Sequence, residues 1–377
     1  MRAPDTSAVD LKSTVPYVDL AVQYAEERDV LLPLIDRTLS SGQWVAGPAV
    51  EEFEAAAARY LGARHVIGVA SGTDALILGL RALGIGAGDE VITPPNSFVA
   101  STAAILFAGA KPVFADVLPD QNIDPAAVEA AITPRTRAIL PVHLTGRMAQ
   151  MDRIMTIAAR QGLAVIEDAA QSIGSRLNGR QAGTFGNLGA FSAHPLKNLN
   201  AMGDAGFVAT DDAGLAAKLR LLRNNGLADR NTVTQWGVVS RLDSVQATIL
   251  QYRLQHLDRV IAARRRNAAL YRERLDGRRI FAPACRDEEF NSFHTFVIQV
   301  DRRDALRTRL ADRGIGTAIH YPIPIHLQPA AEGLGYREGD FPIAERQAGR
   351  ILTLPIHQFL ARGEIDHVAE AITEFYR

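Results

Sequence analysis

Lys197 lies in a setting that can turn a lysine into a nucleophile. It stands between the short apolar run of residues 189–192 and a glycine-containing turn at residues 203–206. A lysine held there away from water has a lowered pKa, because desolvation penalises the ammonium form, and the free amine is what Schiff-base chemistry requires. Most lysines are solvated surface charges. A catalytic role for Lys197 is therefore predicted only when the motifs that precede it in the sequence are taken into account.

The run Ser71-Gly72-Thr73 is a candidate phosphate site, placed where a predicted strand meets a predicted helix. The first N–H groups of a helix have no partner within the helix, and the helix dipole favours an anion there. Gly72 allows a phosphate to approach, and the hydroxyl of Ser71 or Thr73 can donate to it. The alternative is a plain helix N-cap by Ser71 or Thr73, which is the commoner role of these residue types.

Asp168 is a candidate partner for a cation. It ends an apolar strand predicted over residues 163–167. At the carboxyl end of a strand in an open α/β sheet, an acid projects into the crevice where such folds bind ligands, and a buried carboxylate needs a positive partner. A protonated pyridine nitrogen is one such partner. The alternative is that Asp168 caps the next helix.

The order of these three features is informative. A helix start suited to phosphate comes first, then a strand-end acid, then a lysine 29 residues after Asp168. This is the order expected of pyridoxal-phosphate enzymes. A nicotinamide enzyme is disfavoured because no GxGxxG follows an early strand, and the sequence predicts no metal-ligand cluster.

The elements that must position these residues alternate between short β-branched runs and longer amphipathic ones. Between residues 60 and 210 this alternation predicts helices packed on a mostly parallel sheet. Strands are predicted over residues 65–70, 90–93, 112–116, 138–143 and 163–167, with two more at 189–192 and 206–210. Helices are predicted over residues 74–83, 99–108, 125–132 and 151–161.

A long helical pattern over residues 241–275 predicts a connector to a second region. After it come a predicted strand at 293–300, a helix at 303–313, a strand near 316–320 and a final helix at 364–376. We therefore expect a large α/β domain of residues 1–240, including the N-terminal segment. Residues 241–377 would form the connecting helix and a smaller α+β domain.

Composition narrows the class of protein. The chain has 377 residues, 47% of them hydrophobic, and a formal net charge of -1, so no global field attracts nucleic acid or an anionic membrane. The single cysteine, Cys285, suits a reducing compartment. Residues 1–15 lack the apolar core of a signal peptide, and the apolar run at 98–110 is too short to span a bilayer. These features predict a cytoplasmic protein.

Three runs resemble the motifs of a known family. They are Ser71-Gly72-Thr73-Asp74-Ala75-Leu76, Glu167-Asp168-Ala169-Ala170-Gln171, and Phe191-Ser192 continuing to Lys197-Asn198-Leu199. They are similar to those of the DegT/DnrJ/EryC1/StrS family of pyridoxal-phosphate-dependent sugar aminotransferases, and the resemblance covers nearly the whole chain. It implies the fold type I of aspartate aminotransferase, an α/β fold with a large, mostly parallel sheet domain and a smaller C-terminal α+β domain.

The resemblance also implies roles for individual residues. Lys197 would form the Schiff base with the cofactor, and Asp168 would form a salt bridge with the pyridine nitrogen. Gln171 would lie beside the ring, near its hydroxyl group. Phe98 matches the position whose aromatic side chain stacks on the cofactor. The alternative for Phe98 is a core residue at a helix start.

The phosphate would be held by the turn at residues 71–73 and by Ser192, and here the chain departs from the family pattern. The family usually has Gly-x-Asn-x-Arg, whose Asn reaches the phosphate from a partner subunit, whereas this chain reads Gly237-Val238-Val239-Ser240-Arg241. Val239 cannot donate that hydrogen bond. The sequence leaves open a weaker phosphate anchor or a replacement donor such as the Ser240 hydroxyl. A smaller departure is Ala205, in place of the family's glycine.

The function implied is a ping-pong transfer of an amino group from an amino acid, glutamate or glutamine, to a keto group of a nucleotide-linked sugar. Arg241, His320 and His326 are candidates for binding substrate; the alternatives are a helix-end arginine and structural histidines. The family also implies a homodimer with the active site at its interface. Two other functions stay open: a sugar dehydratase on the same scaffold, which replaces the lysine with histidine, and a catalytically inert regulatory protein that binds pyridoxal phosphate.

Overall fold

A computed structural model of the protein describes residues 15–377. The expectation about a signal peptide therefore falls almost wholly outside the described residues. The α-helices are α1 (Leu20–Ser40), α2 (Pro48–Leu61), α3 (Gly72–Ala82), α4 (Val99–Phe107), α5 (Pro125–Ala130), α6 (Met151–Gln161), α7 (Ala213–Leu222), α8 (Ser244–Arg274), α9 (Arg303–Asp312), α10 (Pro342–Ala348) and α11 (Arg362–Tyr376).

The strands form one large sheet and two small ones. The strands are β1 (His65–Val69), β2 (Glu90–Thr93), β3 (Lys111–Phe114), β4 (Thr136–Ile139), β5 (Ala164–Asp168), β6 (Arg176–Leu177), β7 (Arg180–Gln181), β8 (Leu188–Ser192), β9 (Gly206–Thr210), β10 (Glu289–Phe290), β11 (Phe296–Gln299) and β12 (Ile351–Leu354). Strand β10 pairs with β6 and β6 with β7, while β11 pairs with β12.

The large sheet has the strand order β1-β9-β8-β5-β4-β2-β3. Its pairings are parallel from β3 to β8, and β9 runs antiparallel to both β8 and β1. The carboxyl ends of β1, β5 and β8 therefore lie at one edge of the sheet, where β9 begins. Open α/β sheets bind their ligands at this edge.

Apolar side chains alternate across the two faces of the sheet, and each face is covered by helices. Ile67 and Val208 belong to the core beneath α3, α4 and α7, whereas their neighbours Val66 and Phe207 belong to the core beneath α2 and the first half of α8. Because successive strand residues point to opposite faces, a sheet covered on both sides needs apolar residues at nearly every position. This explains the continuous apolar runs that predict the strands.

Helix α8 contributes to two apolar cores. Leu250 and Leu257 pack into the core under the large sheet, while Ala268 and Tyr271, further along, pack with α9, α11 and the β11-β12 pair. The second core is formed almost wholly by residues after 264, together with Val15. The division of the chain at residue 240 stays a prediction.

The structure differs from the sequence prediction at several elements. The strand expected at residues 316–320 is reduced to an isolated bridge between Ala318 and Thr353, since residues 314–316 instead hydrogen-bond to Val15. The strand predicted at 138–143 begins and ends earlier, as β4, and the sequence prediction contains no counterpart of α1, α2, α7, α10, β6, β7, β10 and β12. Several apolar side chains of α1 are exposed, so no single apolar face marks it as a helix.

Candidate active site

A cavity of about 440 Å³ opens at the carboxyl-terminal edge of the large sheet. Most of the residues singled out from the sequence line it. They are Ser71, Gly72, Thr73, Phe98, Asp168, Gln171, Ser192, Lys197 and His320. Residues far apart in the sequence converge here because β1, β5 and β8 end at this edge.

Lys197 lines this cavity and is partly buried. It follows β8 in a turn closed by a 2.8 Å hydrogen bond from its N–H to the His194 carbonyl. Burial lowers the pKa of Lys197 to about 8, and the nearby Asp168 carboxylate opposes that shift. At pH 7 about a tenth of the side chain is therefore the free amine, far more than for a solvated lysine, and the free amine is the form that a nucleophilic lysine requires.

This pKa has a measurable consequence for cofactor loading. Below about 8 the amine is protonated and cannot attack an aldehyde, so the rate at which cofactor-free protein captures pyridoxal phosphate should be low and should rise with pH through a midpoint near 8. The rate should then level off, whereas an ordinary lysine titrates near about 10.4. Stopped-flow absorbance across the pH range measures this; a rate still rising steeply above pH 9.5 would show that the amine is not desolvated.

Asp168 ends β5 with both carboxylate oxygens engaged. Ser101 donates to one oxygen at 2.7 Å, and the Ala170 N–H donates to the other at 3.1 Å. Burial raises the pKa of Asp168, and these hydrogen bonds act in the opposite direction. A turn rather than a helix follows Asp168, so the helix-cap alternative does not hold. A bound cation would favour the ionised form of this carboxyl group.

A buried network of hydrogen bonds around Glu167, the residue before Asp168, fixes the end of β5. The Glu167 carboxylate accepts from the N–H groups of Gly183, Phe185 and Gly186 and lies 2.9 Å from His143 Nε2. The His143 N–H in turn donates to the Asp168 carbonyl at 3.0 Å. The backbone at Asp168 is thus held on both sides, which orients its side chain.

The turn after β1 has the shape that a phosphate site needs. Ser71 is the N-cap of α3, its hydroxyl accepting from the Asp74 N–H at 3.1 Å, so the N-cap alternative holds for Ser71. A Cβ on Gly72 would lie 2.6 Å from the Ser192 Cβ, so only glycine allows this approach. The N-terminus of α3 and the Ser192 hydroxyl thereby face the same end of the cavity.

Phe98 and Gln171 lie on the other walls of the cavity. Phe98 is 53% exposed, so it is not a core residue, and its ring centroid is 5.7 Å from that of Tyr321. The Gln171 amide oxygen accepts from the Thr145 N–H at 2.8 Å, which fixes the side chain. A flat cofactor can therefore enter beside Gln171 and below an exposed aromatic face.

The histidines proposed for substrate binding lie in different places. His320 lines the cavity, and burial followed by the Lys197 charge lowers its pKa to about 4, so it is a neutral imidazole at pH 7. His326 is buried elsewhere, with Nε2 2.9 Å from Glu345 and its ring against Phe341. His326 therefore fits the structural alternative.

Arg241 and its neighbours do not line the main cavity of their own chain. Arg241 borders a smaller cavity with Arg220 and donates to Asn224 at 3.2 Å. The Ser240 hydroxyl donates to Asp74 at 2.8 Å and accepts from the Ala70 N–H, so it braces the turn at residues 71–73 of its own chain. It is 1% exposed, which argues against Ser240 as a donor across a subunit interface, whereas Val239 is 62% exposed.

Four further cavity residues or supports were not singled out from the sequence. Tyr321 and His294 line the cavity, as does Arg264 of α8, and Ser101 holds Asp168. Tyr321 directly follows His320, a residue that the sequence analysis names, so its position in the sequence could have indicated it. Arg264 shares a helical face with Ile261, since they are three residues apart, and that periodicity indicates a buried arginine.

None of the described helices combines the length and apolar character that crossing a bilayer requires. Among residues 15–377 no cluster of three or more histidine, cysteine, aspartate or glutamate side chains is suited to a metal ion.

Comparison with known proteins gives consistent matches along the chain. The model of the DegT/DnrJ/EryC1/StrS aminotransferase family matches residues 26–373. The dTDP-3-amino-3,4,6-trideoxy-alpha-D-glucose transaminase of Streptomyces venezuelae is 45% identical, covering 96% of this chain and 96% of the relative. The pleiotropic regulatory protein of Geobacillus stearothermophilus is 43% identical over 96% of this chain and 99% of the relative. The crystal structure of S. venezuelae DesV with a ketimine intermediate has a TM-score of 0.94 at 45% identity, covering 96% of this chain and 98% of that one.

Proposed function

Because the chain belongs to the DegT/DnrJ/EryC1/StrS family of pyridoxal-phosphate-dependent sugar aminotransferases, we propose that it moves an amino group from glutamate or glutamine to the keto carbon of a nucleotide-linked sugar. The fold type I prediction is confirmed by the likeness to DesV. The observation that carries the proposal is the convergence of a desolvated lysine, a buried carboxylate and a helix N-terminus on one cavity.

The residues present fit pyridoxal phosphate. The turn at residues 71–73 and Ser192 would hold the phosphate, where the close approach at Gly72 leaves backbone N–H groups open to an anion. Asp168 would hold the pyridine nitrogen in its protonated form, and Gln171 and Phe98 would fix the ring from the side and from above. When bound there, pyridoxal phosphate supplies an electron-accepting ring adjacent to the carbon that loses its proton.

The chain's own groups would then do the proton chemistry. Lys197 Nζ, about half of it neutral at pH 8, would take a proton from the donor's α-carbon and deliver it to the cofactor, which is general base followed by general acid catalysis. Asp168, anchored by Ser101, would place its negative charge beside the pyridine nitrogen and so keep that nitrogen protonated and electron-accepting. His320 stays neutral and can donate or accept a hydrogen bond without adding a competing positive charge.

We also propose a homodimer with the cavity at its interface. Apolar side chains are exposed around the cavity and on the segment that carries the altered family motif: Phe98 at 53%, Trp236 at 89% and Val239 at 62%. Exposed apolar patches of this kind mark interaction surfaces. In such a dimer, Arg241, which borders another cavity of its own chain, would contribute to the cavity of the partner subunit. A two-domain division at residue 240 and a cytoplasmic location complete the proposal.

Val239→Asn tests how the phosphate is gripped across that interface. Restoring the amide should add one charge-assisted hydrogen bond to the phosphate and tighten the Kd of pyridoxal phosphate about tenfold. Equilibrium dialysis of cofactor-free protein measures it, with Val238→Asn, one residue away, as the matched control. An unchanged Kd in a dimeric Val239→Asn variant would mean that this segment does not reach the phosphate.

The test of the proposed function is the donor half-reaction. Adding L-glutamate or L-glutamine to the pyridoxal-phosphate-loaded protein should convert the cofactor's visible absorbance to that of the pyridoxamine form and release one equivalent of the oxo acid. A cofactor absorbance that stays unchanged with both donors would instead favour a protein that binds pyridoxal phosphate without catalysis. A product that has lost a hydroxyl and gained no nitrogen would favour the dehydratase.

A further inference from the structure

Arg264 is a buried cation without a carboxylate partner. It is 6% exposed and lies on α8. The other arginines of comparable burial in residues 15–377 each lie within 4.0 Å of a carboxylate: Arg147 near Asp120 and Glu289, Arg253 near Glu27, and Arg303 near Asp304. No such pair exists for Arg264 among the described side chains.

The hydrogen bonds of Arg264 leave part of its guanidinium unused. One terminal nitrogen donates to the carbonyls of Phe293 and His294 at 3.3 and 3.0 Å, and the other lies 3.5 Å from the Gln358 amide oxygen. Its Nε has no hydrogen-bond partner. Burial lowers the pKa of Arg264 to about 10, so the group still carries its charge at pH 7. An uncompensated buried charge is costly, and a bound anion would relieve that cost.

Arg264 and Lys197 can contact the same bound ligand. Both residues line the main cavity, and both also border a smaller adjoining one. His294 lies within the electrostatic reach of both cations, which together with burial lower its pKa well below the usual value. Asp168 and the turn at residues 71–73 line the same cavity and are assigned to the cofactor. Arg264 has no assigned role toward the cofactor, so its charge is left for the substrate.

We propose that Arg264 binds the α-carboxylate of the amino donor, while the donor's amino group would replace Lys197 Nζ on the aldehyde carbon of the cofactor and release Lys197 as a free amine. This inference rests on the proposed aminotransferase function and assigns its donor subsite. The chemistry that recognises the donor is a guanidinium facing a carboxylate, which together form two parallel N–H···O bonds. The carboxylate is the group that glutamate and glutamine share beside the reacting amine, so one arginine serves either donor. The donor's carboxylate also supplies the missing counter-charge.

The experiment measures the two half-reactions separately in Arg264→Gln. With the pyridoxal-phosphate form, the apparent Kd of L-glutamate and of L-glutamine, taken from single-turnover absorbance, should rise roughly 10- to 150-fold. With the pyridoxamine-phosphate form, the rate of amino transfer to a nucleotide-linked keto-sugar should stay within about twofold. Arg266→Gln, on the same helix but exposed, is the matched control and should behave as the parent protein.

Two further measurements separate binding from folding. Reaction of n-butylamine, an amine without a carboxylate, with the loaded variant should be unchanged, because it does not use Arg264. Arg264→Lys keeps the charge but loses the paired N–H donors, so it should weaken donor binding less than Arg264→Gln. This variant still tests the inference if Arg264→Gln does not fold.

The outcomes that overturn the assignment are distinct from failure of the proposed function. Unchanged donor affinity in both variants, a loss confined to glutamate, or an equal loss with n-butylamine would each contradict a role for Arg264 at the α-carboxylate. Absence of amino transfer in the parent protein and in every variant would contradict the proposed function instead.

Discussion

Lys197→Ala should lower the transamination rate by at least about 10⁴-fold, because it removes both the nucleophile and the proton-transfer group. The protein should still fold, since the side chain lies against a cavity and is not part of an apolar core. It should still bind pyridoxal phosphate, but without a covalent link. Rates of the donor half-reaction, together with mass spectrometry after borohydride reduction, measure both effects.

Lys218→Ala is the matched control for this variant. Lys218 is exposed on α7 and contacts only a backbone carbonyl. It should keep parental activity and a borohydride-reducible link to the cofactor. A Lys197→Ala protein that retained that link or turned over at a tenth of the parental rate would place the chemistry on another residue.

Asp168→Asn should be the second most damaging change. It keeps the shape of the side chain and removes the charge opposite the pyridine nitrogen, and breaking such a buried pair costs about 3 to 5 kcal/mol. That corresponds to a loss of roughly 10²- to 10⁴-fold in kcat for the donor half-reaction. Cofactor occupancy, measured by absorbance, should be reported with the rate so that weak binding and slow chemistry are distinguished.

Ser101→Ala provides the graded comparison for Asp168. It removes the hydroxyl that donates to the Asp168 carboxylate at 2.7 Å but leaves the charge in place. We expect about a tenfold loss, since one hydrogen bond to a charged group is involved. Equal activity losses for Asp168→Asn and Ser101→Ala would argue that geometry, and not charge, is what Asp168 contributes.

Local sequence patterns predict much of the large sheet because both of its faces are buried. Strands β2 and β9 and helix α6 have the predicted bounds, β1 and β8 differ from them by one residue at one end, and β5 is displaced by one residue at both ends. Residues that follow strand ends, such as Asp168, are then placed at the ligand-binding edge by topology alone. That is why most of the candidate cofactor residues line one cavity.

Features set by long-range packing could not be predicted in the same way. Helix α1 exposes apolar side chains such as Tyr24 and Leu39, so its pattern lacks the polar face of an isolated amphipathic helix. His326 and His320 occur in similar sequence surroundings, yet only the contacts with Glu345 and Phe341 show that His326 is buried away from the cavity. The burial of Arg264 likewise depends on the packing of α8 against distant segments.

The departure at Val239 acquires a physical meaning only from the structure. The sequence alone leaves open Ser240 as a replacement donor, but that hydroxyl already bonds Asp74 and the Ala70 N–H within its own chain. The exposed side chain at this point is the valine. If the dimer forms as proposed, the cofactor phosphate in each cavity would be held mainly by the subunit that supplies Lys197, through the turn at residues 71–73 and Ser192, and little by the partner subunit.

The most direct test of the account is transfer of a labelled amino nitrogen. Protein loaded with pyridoxal phosphate is incubated with L-glutamate carrying heavy nitrogen and with the dTDP-linked keto-sugar that corresponds to the product named for the S. venezuelae relative. Mass spectrometry of the nucleotide-sugar should show an amino sugar containing the heavy nitrogen, and none with Lys197→Ala. The reaction is repeated with a UDP-linked keto-sugar as the acceptor. Two results, obtained with both acceptors, would contradict the account: a keto-sugar that stays unchanged, or a sugar that has lost a hydroxyl and gained no nitrogen.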